Sequence, residues 1–172
     1  MILTNLFLRK KIKKLAKASY QYPHAFKPLE KVNTIVLLYL REQMNSVEKI
    51  SRDLIDQKIA VKHVIYDPNE SLPDESASHL YVGNKDLNTF GFPSAYVKKK
   101  FQAMKADLII DLTVEPSYFL RYLALCSPDA FRVGIGRAEE LGYEFTLRST
   151  EKSDLAYNFS QILFYLRSFD AK

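Results

Sequence analysis

Asp107, Asp111 and Glu115 fall within one short stretch, ADLIIDLTVEP, at residues 106–116. Two of these acids bracket an apolar run and the third stands just beyond it. A carboxylate at the end of a strand can act as a general acid or base when it faces a crevice, and it can equally bond the amides of the turn that follows. Thr113 lies between Asp111 and Glu115. Arg137, directly after Gly134-Ile135-Gly136, suits a phosphate or carboxylate ligand, or a surface ion pair with Glu139 or Glu140. Glu42 and Asn45 occupy the turn after the first apolar run of the chain. Glu42, Asn45, Asp111, Thr113, Glu115 and Arg137 therefore make up the candidate ligand crevice, and none of them is assigned as catalytic.

Other chemistry finds less support. A dinucleotide fingerprint needs glycines after the first strand, where backbone amides meet a pyrophosphate at a helix N-terminus. The turn here is Arg41-Glu42-Gln43-Met44-Asn45-Ser46, without glycine, and Gly134-Ile135-Gly136 comes late and reads as a strand end with a tight turn. There is no P-loop. His24, His63 and His79 lack neighbours at metal-motif spacing, so no metal is expected, and no cofactor is implied. Cys126, the single cysteine, sits among apolar residues and reads as core in a reducing cytoplasm.

Charge is unevenly placed. Residues 1–31 carry eight Lys/Arg and one acid, or +7; residues 32–172 carry seventeen against nineteen acids, or −2. That division separates a basic N-terminal helix and its connection, residues 1–31, from a single domain, residues 32–172. A basic face for nucleic acid is not expected on the domain itself. Arg9, Lys10, Lys13, Lys14 and Lys17 are instead the candidates for contact with an anionic partner or a membrane surface, and Lys98-Lys99-Lys100 reads as the solvated face of a helix. No apolar run reaches the roughly 18 residues a membrane span needs.

The elements that must position these residues are legible as alternating strands and helices. Residues 5–20 predict a helix with Leu8, Ile12, Leu15 and Ser19 opposite its lysines, separable from the rest of the fold and suited to docking on protein. Strands are expected at residues 32–40, 59–66, 80–82, 107–112, 131–135 and after Gly142. Helices are expected at 46–57, capped by Asn45 or Ser46 and facing inward through Val47, Ile50, Leu54 and Ile55; at 94–104; at 116–126, with Pro116 in its first turn; and at 153–169, capped by Ser153. Residues 67–78 read as an exposed loop. This alternation predicts a three-layer, Rossmann-like α/β domain whose mainly parallel sheet carries helices on both faces. Ligands of such sheets bind outside the carboxyl ends of the strands, near a topological switch point.

The stretches VNTIVLLYL and ADLIIDLTVEPSYFLRYLALCSPDAFRVGIGR resemble the acceptor-side half of heptosyltransferase-like glycosyltransferases in their order of elements. The resemblance implies a sugar-phosphate or nucleotide-sugar site, built on a Gly-Asp pair after the first strand and completed by a second domain. This chain has Glu42 as the nearest acid to that pair. The segment GNKDLNTFGFPSAYVKKKFQAMKADLIIDLT is similar to a family of small bacterial proteins of unknown function. Together these readings favour a non-catalytic cytoplasmic protein that binds a protein partner, a second copy of itself or a small anionic ligand. The alternatives are a glycosyltransferase-like binder of sugar phosphates and a peripheral adaptor at the inner membrane surface.

Overall fold

The computed structural model describes residues 2–21, 28–69, 76–114, 117–136, 142–148 and 154–168, without the side chains of residues 2–5 and 19–21. Six strands, β1 (Thr34–Leu40), β2 (Ala60–Tyr66), β3 (His79–Val82), β4 (Leu108–Asp111), β5 (Phe131–Ile135) and β6 (Phe145–Leu147), form one sheet in the order β3-β2-β1-β4-β5-β6. Every pairing in it is parallel. The domain is thus the Rossmann-like α/β fold expected, and all-parallel rather than mainly so. β1 and β4 sit at its centre, and their near-continuous apolar runs reflect burial on both faces.

Helices α2 (Met44–Asp56) and α5 (Leu155–Ser168) cover one face; α3 (Ala95–Ala103) and α4 (Tyr118–Leu125) cover the other. Alternate residues along β1 divide between the two cores, Ile35, Leu37 and Tyr39 facing α2 and α5 while Val36 and Leu38 face α3 and α4. Among the described residues no helix joins β2 to β3, and residues 67–69 and 76–78 flank that connection. Asp67, read from sequence as part of an exposed loop, is buried.

Helix entry differs from the sequence reading in three places. Asn45 and Ser46 do not cap α2: the chain enters it through a 3-10 turn at Arg41–Gln43, which leaves both residues exposed inside the first turn. α4 begins at Tyr118 rather than at residue 116, capped by Ser117, whose hydroxyl accepts from Leu120 N at 3.4 Å; Pro116, expected in its first turn, lies outside the described residues. Asp154 caps α5 by accepting from Tyr157 N at 2.7 Å, and Ser153 is again outside the described residues. Ile55 also departs from the expected inward face of α2, turning to solvent while Val47, Ser51 and Leu54 are buried.

The basic helix α1 (Ile2–Gln21) lies across α4 as a partial fourth layer. Leu8, Ile12 and Ala16 are buried against Tyr122 and Leu125, with Leu15 partly covered. Ala16 adds to the stripe expected at Leu8, Ile12, Leu15 and Ser19, and the Ser19 side chain lies outside the described residues. The contact is close: a Cβ at Gly142 would fall on Ala16, whose Cα would lie 2.9 Å from it. The helix therefore shares apolar surface with the domain, and its removal would expose part of α4.

Candidate functional site

A doubly wound sheet opens a crevice where the chain leaves two neighbouring strands in opposite directions. In this order that point lies between the carboxyl ends of β1 and β4. Gln43 spans it. Its side-chain carbonyl accepts from Leu40 N at 2.9 Å and its amide donates to Leu112 O at 3.1 Å, tying the end of one strand to the end of the other. The position where a glycine turn would leave room for a phosphate is thus taken by a glutamine that uses the backbone groups itself.

The neighbouring polar groups are also engaged. Asp111, at the end of β4, accepts from Thr113 N at 3.0 Å, from the Thr113 hydroxyl at 2.6 Å and from the Tyr143 hydroxyl at 2.6 Å. Burial pushes the Asp111 carboxyl above its ordinary range, opposed by those hydrogen bonds and by the Arg121 guanidinium. Tyr143 is held well above the ordinary tyrosine value by burial and by the same carboxylate. On the other side of β1, Arg41 Nε stands 4.0 Å from Asp67 Oδ2, and Asp67 accepts from Asn69 N at 2.9 Å. Arg41 also donates to the Met44 sulfur.

The sequence-derived candidates therefore separate. Asp111 and Thr113 meet at the end of β4, but both are buried and bonded to each other. Glu42 stands exposed on the 3-10 turn after β1 and Asn45 exposed in the first turn of α2. Glu115 and Arg137 lie outside the described residues. Gly136, with φ 138°, donates its N–H to Leu147 O at 2.9 Å, so this amide serves the sheet. Asp107 accepts from Asn33 N at 2.9 Å and Thr34 N at 3.2 Å, fastening the start of β1 to that of β4.

Two clusters were not apparent from sequence. Parallel register sets His63 beside His79, and their rings stack with centroids 4.5 Å apart. The Tyr39 hydroxyl lies 3.0 Å from His63 Nδ1. Burial, with His79 adding to it, lowers His63 to about 4, so its ring is neutral near pH 7. The second is a buried ion pair in which Arg132 Nη2 meets Glu144 Oε1 at 2.5 Å, while Arg132 N donates to Glu144 Oε2 at 2.8 Å. Gln43 itself had a usable signal, because a glutamine three residues after a strand end has capping-box spacing. Among the described residues no group of three or more His, Cys, Asp or Glu is arranged to hold a metal ion. Cys126 is partly buried, and burial pushes its thiol up, opposed by a hydrogen bond with Tyr122 and by Lys98 and Lys11.

A family model spans residues 5–169, nearly the whole chain, and includes α1 with the sheet. The chain belongs to a family of unknown function, DUF6913. Comparison with curated proteins finds no match. Membership in this family covers both the basic helix and the domain that sequence alone divided at residue 31. No helix among the described residues is long and apolar enough to cross a membrane.

Proposed function

We propose that this member of the family is a non-catalytic α/β module that acts by surface contact with a partner. The observation that carries the reading is Gln43, whose amide group joins Leu40 N to Leu112 O across the switch point. Acid-base work at Asp111 would first have to break its bonds to Thr113 and Tyr143, in a setting where burial already disfavours the charged form. Transfer of a glycosyl group needs a positioned base, a held donor and stabilisation of the leaving phosphate. The likeness to the acceptor half of glycosyltransferases supplies a shared order of elements for that competing reading, but the turn after β1 offers only the exposed Glu42.

The test incubates concentrated protein with a panel of nucleotide sugars and sugar phosphates and measures released nucleotide. No release above buffer is expected. Turnover abolished by Glu42→Gln or Asp111→Asn, in variants that keep the wild-type melt, would replace this reading with the enzymatic one.

A further inference from the structure

Docking of Leu8, Ile12 and Ala16 on α4 turns a different face of α1 outward. That face begins with Leu6, 60% exposed, and Phe7, 52% exposed, and continues through Lys10, Lys11 and Lys14. Phe90, 51% exposed, meets Phe7 edge to face with ring centroids 5.5 Å apart. A turn holds Phe90 there: Asn88 Oδ1 accepts from Phe90 N at 2.9 Å and from Phe92 N at 3.1 Å, and Gly91 adopts φ 76°. Phe7, Phe90 and Phe92 line an open groove of about 510 Å³ together with the three lysines. Residues 2–21 contain six Lys/Arg and no acid, so nothing in the helix neutralises this face.

We propose that this face docks the protein on an anionic phospholipid surface, with Leu6, Phe7 and Phe90 entering the headgroup-acyl boundary and Lys10, Lys11 and Lys14 engaging lipid phosphates. The inference rests on the reading that the protein acts by surface contact and names the partner. Its composition favours lipid over an acidic polypeptide. Protein interfaces are enriched in aromatic residues, phenylalanine included, and in arginine, but are depleted in lysine, and the cations that line this groove are all lysines. Phenylalanine and leucine beside lysine offer insertion and diffuse charge, the two contributions that together hold a peripheral protein on a bilayer. The set also differs from a charge-only contact through Arg9 and Lys13, which flank the Tyr118 side of α1.

Co-sedimentation of the full chain with phosphatidylcholine vesicles, with and without phosphatidylglycerol, tests the proposal. Binding should require the anionic lipid and weaken with salt. Each lysine-to-glutamine change at 10, 11 and 14 should lower affinity about fivefold. Phe7→Ala with Phe90→Ala should weaken binding at unchanged charge, and an unaltered circular dichroism melt confirms that each variant folds. The proposal is overturned if wild-type protein stays in the supernatant, if it binds neutral vesicles equally well, or if it takes up polyglutamate but not vesicles. Those results leave the non-catalytic reading standing, whereas nucleotide-sugar turnover removes that reading whatever the vesicles show.

Discussion

Gly142→Ala probes the junction between α1 and the rest of the protein with one methyl group. Gly142 has φ 68°, a left-handed conformation that costs an L-residue about 1–2 kcal/mol. The added Cβ would also meet Ala16, with the Ala16 Cα 2.9 Å away and Leu125 Cδ2 at 3.5 Å. Overpacking of a well-filled contact adds about 1–3 kcal/mol. The combined loss is about 2–5 kcal/mol, or less if α1 lifts away and so relieves part of the clash. Urea unfolding measures the loss, and limited trypsin digestion reports whether α1 has lifted, since the helix is rich in lysine. Ala16→Gly in the same background should restore only a fraction, because it removes the nearest atom but neither the Ala16 Cα nor the backbone strain. A Gly142→Ala protein with wild-type midpoint and wild-type trypsin pattern would refute the packing of α1 against Gly142.

Ile109, Ile110 and Leu123 have no exposed surface, so each change to Ala should cost about 2–5 kcal/mol in urea unfolding; losses well below 1 kcal/mol at both isoleucines would put β4 at an exposed edge. His63, lowered by burial and by His79 to about 4 from an ordinary 6.5, is neutral in the native state and binds a proton first when unfolded. Its contribution is complete above pH 6.5 and is lost as pH falls towards 4, by at most about 3 kcal/mol, so His63→Gln should flatten stability across that window relative to wild type. Glu144→Gln removes the carboxylate charge that meets the buried Arg132, 1% exposed, and should cost up to about 3–5 kcal/mol in urea unfolding. A loss near zero there would mean that the Glu144 charge is not what holds the buried guanidinium in place.

The strands were legible where burial on both faces forces continuous apolar runs. Residues 32–40 and 107–112 contain β1 and β4, and residues 131–135 match β5. The entry to α2 was misread because Asn45 and Ser46 have the chemistry of caps, whereas the chain bends through Arg41–Gln43 and uses Gln43 on the preceding strand. Contacts that depend on strand pairing were hidden. His63 and His79 stack only because β2 and β3 are in register, and Tyr143 reaches Asp111 from 32 positions away. The amphipathic pattern of α1 showed that one face would be buried, but the partner was not readable: it is α4, with Ala16 set against Gly142. The exposed pairing of Phe7 with Phe90 likewise joins segments that sequence spacing keeps apart.

Amide chemical-shift mapping tests the central claim most directly, because it reads the crevice and the surface of one folded sample together. The probes are a panel of nucleotide sugars and sugar phosphates, followed by anionic lipid presented in nanodiscs. The account predicts no saturable shifts at Leu40–Asn45 or Leu112–Thr113 with any of the small molecules, since Gln43 and Asp111 already bond the backbone groups there. It predicts changes confined to the outward face of α1 and the turn at Asn88–Phe92 with the nanodiscs. Saturable shifts at the ends of β1 and β4, with α1 unmoved, would contradict it.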